Sequence, residues 1–361
     1  MGSMYHSLTH ALHSLRNPHF SGKSHALGAK KKPEDVCEGK AFDVEIRSHL
    51  SQLDIPVDQG FLTLPWLRDA LKSVLFTCSH ISNLLPGISC SEKERVLLES
   101  NLQDTLSLLD VCNGLKEVLN DVQHYVMLVR YAAGSAVDVK DASNAEELKS
   151  KLTRFHAALV KSADFMHARV EENTRHNEGR SKLETCSSML RRIGEPLPQA
   201  SPGSKRAASN ALFNDMYAAK VLAVFVCSVL AVALSVKPKR PLSCVHMAEQ
   251  PTWLDLLQQI QDNVKKLTDK CIEHGKIALL KELDQLRMQT NELCEMLDRI
   301  LKQAAPIADV DKLSLSQQCE KLTQESDDLQ RGLLALQQHV DGLFRMLVTI
   351  RVDFLDALCH V

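Results

Sequence analysis

The chain has 361 residues, 44% hydrophobic and 24% charged, with only 4% aromatic. That is an ordinary folded composition, and the scarcity of aromatics suits helix packing better than sheets. Its 43 Lys and Arg against 45 Asp and Glu leave a net charge of −2, so no global field selects nucleic acid, which is set aside as a partner, or an anionic surface.

Residues 1–33 hold no Asp or Glu and carry Arg16, Lys23, Lys30, Lys31 and Lys32. They read as a basic disordered tail ending near residue 36, with an organellar transit peptide as the alternative. No signal-peptide apolar core occurs, and His6 breaks the myristoylation pattern.

An N-terminal helical bundle is expected over 37–193. Phe42, Ile46, Leu50 and Leu53 lie at helical spacing and stop at Pro56. Thr63-Leu64-Pro65 opens a second helix, with a cap and an early proline, through Leu67, Leu71, Val74, Cys78, Ile81 and Leu85. Ser91-Glu92-Lys93-Glu94 reads as a capping box launching a long stripe from Leu98 to Val129, with Asn113-Gly114 as a bend. A second box, Ser143-Asn144-Ala145-Glu146, starts the next helix, with Leu148, Leu152, Phe155, Leu159 and Met166 inward.

The stretch 194–208 is rich in Pro, Gly and Ser without periodicity and reads as a linker. It precedes a segment, 209–236, unlike the rest. Within it Val221–Val236 has sixteen residues without a charge, fourteen of them apolar. Val221, Val224, Phe225, Val229, Leu230 and Leu234 mark a helix apolar all round, which lies either inside a bundle or in a bilayer. As a helix the run reaches only about 24 Å, short of a hydrocarbon core of about 30 Å. Ala218, Ala219 and a snorkelling Lys220 extend it. Spanning would also separate amphipathic stripes that need one another. Both readings stay open.

On the membrane reading Lys220, Lys237, Lys239 and Arg240 are juxtamembrane cations facing anionic head groups; otherwise they are solvated charge. Ser209, three residues after Arg206, is a candidate basophilic phosphosite.

From Trp253 onward apolar residues recur at spacings of four and three, through Leu257, Ile260 and Val264 to Ile300, then beyond Pro306 from Leu315 to Phe354. Sustained rhythm of this kind predicts coiled-coil-like packing. Long helices over 252–303 and 309–358 then form an antiparallel hairpin, the C-terminal unit being 252–361. The fold class is all-α: an elongated multi-helix bundle with long antiparallel helices.

Chemical motifs are sparse. Asn17–Ser24 ends like a phosphate-binding loop but lacks the first glycine, the strand and the helix. The fifteen His include no H-E-x-x-H, and no G-x-S-x-G occurs. The eleven Cys are scattered without C-x-x-C or zinc-site spacing and read as reduced, structural thiols in a cytosol-facing protein. No catalytic residue, metal or cofactor is assigned.

Leu62-Thr-Leu-Pro-Trp-Leu-Arg-Asp-Ala70, Leu108-Leu-Asp-Val-Cys-Asn113 and Tyr217-Ala-Ala-Lys-Val-Leu-Ala-Val-Phe-Val226, with the long helical C-terminus, resemble the plant-specific BYPASS family. The resemblance covers most of the chain past its first forty residues; the His-rich start departs from it. It implies no enzymatic chemistry and a role in root, leaf and meristem development, restraining a root-derived mobile signal, with ties to membranes and secretory machinery. Two functions follow. One is a non-catalytic regulator docking on a protein partner or membrane lipid, at an endomembrane such as the endoplasmic reticulum facing the cytosol, or else soluble in the cytoplasm or in a plastid. The other is an enzyme or carrier of the signal's small-molecule precursor, bound between helices.

Overall fold

A computed structural model describes residues 35–53, 60–86, 92–135, 144–174, 182–194, 207–235, 253–274, 276, 278–303 and 308–359. The described residues form nine α-helices: α1 Asp35–Ser51, α2 Leu64–Leu84, α3 Glu92–Ser135, α4 Ala145–Thr174, α5 Lys182–Gly194, α6 Ala207–Ala233, α7 Leu254–Glu273, α8 Lys281–Lys302 and α9 Asp309–Cys359. Residues from Glu38 onward make one unit; of residues 1–37 only the start of α1 is described. The tail to residue 36 thus lies almost wholly outside the described residues, as does the 194–208 linker.

Local rules account for the helix starts. Thr63 caps α2 by accepting the Trp66 backbone N–H, with proline in the first turn. At α4 the cap is Asn144, one residue later than expected: its Oδ1 accepts the Glu147 N–H at 2.8 Å. Asn-x-x-Glu does there what Ser-x-x-Glu does elsewhere. Ser91 and Ser143 lie outside the described residues.

The predicted stripes from α1 through α3 and from α7 to α9 are buried, with only Leu102 half-exposed, and they belong to one apolar core from Phe42 to Ala357. Core burial is the dominant favourable contribution here, at about 1.5–3 kcal/mol per large side chain before entropy is charged against it.

The long helix α9 organises the bundle. It runs antiparallel to α3, as Lys116–Asp341 (2.7 Å), Gln123–Gln337 (2.8 Å) and Arg130–Asp327 (2.8 Å) show. It runs parallel to α2: Gly332 meets Leu64, Gly342 meets Leu75, and Ser82 donates to Asp353 at 2.7 Å. A Cβ on Gly332 would collide with Leu64, so glycine permits the close crossing. Gly114 does likewise for α5, where a Cβ would strike Cys186 Sγ; α3 passes through Asn113-Gly114 as unbroken helix, so the expected bend is a close contact instead.

Two expectations for the C-terminal third need correction. The helix expected over 252–303 is two helices, α7 and α8, because residues 278–280 leave the helix to bond elsewhere. Leu62 N–H donates to Leu279 O at 3.0 Å and Lys281 N–H to Leu62 O at 2.9 Å, an isolated parallel bridge. Nor do α8 and α9 form a self-contained hairpin: α9 lies chiefly on α3 and α2, and α8 also packs on α4. Stripes read along one segment say that a face is buried, not by which helix.

Candidate functional site

Helix α6 is the feature around which a site is built. Its stretch Leu212–Ala233 is long and apolar enough, by length and composition, to cross a membrane, yet 94% of the most apolar 18-residue window within it is buried in the bundle. Val221, Val224, Phe225, Val229, Leu230 and Leu234 are all buried, with α2 and α5 the main neighbours and α3 a further one. Ser228 returns its hydroxyl to Val224 O at 2.6 Å, so the one hydroxyl in mid-run brings no unsatisfied donor.

Lys220 is not a membrane-edge cation. The helix begins thirteen residues earlier, at Ala207, so Lys220 lies in its middle, 7% exposed, and its Nζ donates to Asp104 Oδ2 of α3 at 2.9 Å. This corrects the juxtamembrane reading: a cation amid apolar neighbours finds a carboxylate rather than snorkelling. Lys237, Lys239 and Arg240 lie outside the described residues. Ser209 sits in the first turn of α6.

Beside this ion pair a partly open cleft of about 50 Å³ runs between α2, α3, α6 and α9. Its walls are mainly apolar, among them Ile81, Leu108, Met216, Ala223 and Phe354. Two polar lining groups donate within their own helix: Asn101 Nδ2 to Leu97 O and Thr105 Oγ1 to Leu102 O, both at 2.8 Å. Among the described residues the Lys220–Asp104 pair is the charged part of the lining. The volume holds about three or four waters, far from a pocket that encloses a drug-sized ligand.

A second polar cluster, invisible to the sequence reading, ties α1 to α2, α6 and the start of α7. His80 Nε2 lies 3.1 Å from Asp215 Oδ2, its ring stacks on Phe42 with centroids 4.0 Å apart, and Trp253 Nε1 donates to Asp43 Oδ1 at 3.0 Å. Burial pushes the Asp43 carboxyl above its usual range; the Trp253 N–H opposes this and the nearby charge of Asp215 adds to it. The four partners sit on different segments, so no spacing could have flagged them.

The thiols fit a structural role. Burial drives Cys78 and Cys112 up to about 12 and Cys186 to about 11, and raises Cys227 well above its usual value, so each holds its proton and is a poor nucleophile. Among the described residues no group of three or more His, Cys, Asp or Glu is placed to hold a metal ion.

Residues 181–358 match the family model "Protein ROH1-like". "UPF0496 protein 4" of Oryza sativa subsp. japonica is 23% identical over 248 residues, 68% of this chain and 51% of that protein. Its counterpart in subsp. indica is 22% identical over the same extent. "Protein BPS1, chloroplastic" of Arabidopsis thaliana is 20% identical over 321 residues, 88% of this chain and 82% of that protein. The chain thus spans about half the length of the rice relatives it matches. No solved structure matches it. None of these relatives carries the name of an enzyme. The chain is thus similar to BYPASS-like plant proteins, over just under half of its length by the family model and over 88% of it by the Arabidopsis relative.

Proposed function

We propose that this chain is a non-catalytic helical regulator of plant development, restraining a root-derived mobile signal that governs shoot and leaf growth. It docks on a protein partner through its helical surfaces, at the cytosolic face of an endomembrane. The observation that carries the docking mode is where the apolar surface goes. The most apolar helix is spent on the protein's own core, while Met127 and Tyr131, one turn apart on α3, stay 57% and 75% exposed, with Leu334 of α9 also exposed. The pairs Gln123–Gln337 and Arg130–Asp327 bracket Met127 along the α3–α9 seam, which makes that seam the candidate contact face. Developmental function comes from the family resemblance. A plastid location is the alternative, supported by the word chloroplastic in the Arabidopsis relative's name.

The test joins localisation to function. Carbonate extraction of plant microsomes, with protease protection of tags at both ends, should find the protein extractable and both tags accessible; a retained protein with one tag protected makes α6 a span and overturns the docking mode. Met127→Ser with Tyr131→Ser should fold normally, since such surface changes lie within about 0.5 kcal/mol, yet fail to restore growth in plants lacking the gene. Full restoration would remove the seam from the proposal.

A further inference from the structure

We infer that the cleft beside Lys220 is a binding site for a small apolar molecule bearing a hydroxyl group, with the Lys220–Asp104 pair reading that hydroxyl. This goes beyond the docking proposal and does not depend on it.

The argument starts from charge. Lys220 is held at 7% exposure and bonds Asp104 at 2.9 Å, so the pair presents a donor and an acceptor side by side with no net charge. An ammonium has three N–H donors and the bond to Asp104 uses one; a carboxylate accepts several. A hydroxyl both donates and accepts, so it can take a bond from Lys220 Nζ and give one to the Asp104 carboxylate. A carboxylic acid anion would meet Asp104 and an amine cation would meet Lys220, each at the cost of an unbalanced charge in a mostly apolar cleft. Of the remaining polar lining, the Asn101 amide and the Thr105 hydroxyl each spend a donor on their own helix.

Shape limits what enters. The cleft is open on one side and holds about 50 Å³, so it takes the hydroxyl-bearing end of a molecule with a narrow aliphatic body. Ala219 and Ala223 lie one turn apart on the α6 wall, where small side chains leave the space that larger ones would fill. Phe354 of α9 and Met216 of α6 add apolar surface, and methionine adapts readily to irregular ligands.

The test uses the full chain with 1-hexanol as the probe, against hexanoate and hexylammonium, followed by methyl NMR of Ile81, Met216 and Ile350. Hexanol should shift these resonances saturably, and each charged analogue should bind at least about tenfold more weakly, the size of a lost hydrogen bond to a charged group plus a misplaced charge. Lys220→Met should erase the preference for the alcohol. Ala223→Leu should abolish saturable binding while leaving the ion pair in place; if that variant does not fold, Ala219→Val serves. Absence of a saturable shift with hexanol, equal binding of the charged analogues, or unchanged binding in the filled variant overturns the site.

Discussion

The buried ion pair offers the sharpest quantitative test of how α6 is held. Lys220→Met removes a cation that is 7% exposed and leaves Asp104, whose side chain is 21% exposed, without the bond measured at 2.9 Å. At an effective dielectric near 20 the gross attraction of such a pair is about 4 kcal/mol, and removing both charges from water cancels much of it. Breaking a fully buried pair costs about 3–5 kcal/mol; the residual exposure of Asp104 lets water reach the orphaned carboxylate, so about 1–3 kcal/mol is expected for Lys220→Met. Asp104→Leu alone strands the more deeply buried ammonium and should cost at least as much. The double variant strands neither and should lose less than the two single losses combined, giving a coupling of about 1–2 kcal/mol. Urea unfolding of the four proteins, read by circular dichroism with the slopes checked for constancy, measures this directly. A coupling below about 0.3 kcal/mol, within the additivity expected of independent sites, would mean that Lys220 does not face Asp104 in solution and would return it to the membrane-edge role.

Further outcomes follow from the packing. Val229→Arg puts a cation where exposure is 0%, so the variant should be unfolded or insoluble, with a loss exceeding about 4 kcal/mol; a folded, soluble variant by fractionation and circular dichroism would contradict the buried position of α6. Leu336→Asp should be comparably damaging, since Leu336 is also fully buried, and an unchanged melting curve would argue against the central place of α9. Gly114→Val should cost about 1–3 kcal/mol by forcing Cys186 of α5 away from α3, and retention of wild-type stability would mean that this close approach does not exist. Glu282 accepts the Leu64 N–H at 3.1 Å, and burial raises its carboxyl above the usual range. Its folded value lying above the unfolded one, its favourable contribution is complete below the ordinary glutamate range and is lost as pH rises through the folded value. Glu282→Gln should therefore be at least as stable as wild type at neutral pH, with the difference shrinking on acidification. Glu282→Ala should lose the cap, about 1 kcal/mol, and equal stability of the Gln and Ala variants in pH-resolved melts would count against this role.

Periodicity made much of the fold legible and little of the site. The 3.6-residue stripes located the buried faces of α2, α3 and α9 because burial selects side chains by helical phase, and every predicted position from Leu315 to Phe354 is buried. Phase carries no information about which helix covers a face, so the partnership of α9 with α3 and α2 could not be read. The sequence does carry a trace of the break between α7 and α8, because the apolar rhythm slips between Cys271 and Leu279, but its cause is a tertiary bridge to Leu62, 218 residues from Leu280. Lys220 misled because it borders the apolar run in sequence while sitting at mid-helix in space. A charge at the edge of such a run, with Asn214 and Asp215 still upstream in helical register, was the available sign that the helix began earlier. Asp104 carries no matching sign; it is one of several acids on α3 until α6 is laid beside it.

The distance along the chain from α2 and α3 to α9 has a consequence for biosynthesis. Helix α6 is complete once Ala233 has emerged, but roughly 125 further residues must be made before the last turn of α9 exists, about 6–25 s at ordinary elongation rates. Through that interval α6 already has α2, α3 and α5 to pack against, whereas the α9-facing sides of α2 and α3 are presented by the nascent chain without their final cover. Until α9 emerges, those faces of α2 and α3 offer chaperones an uncovered apolar surface.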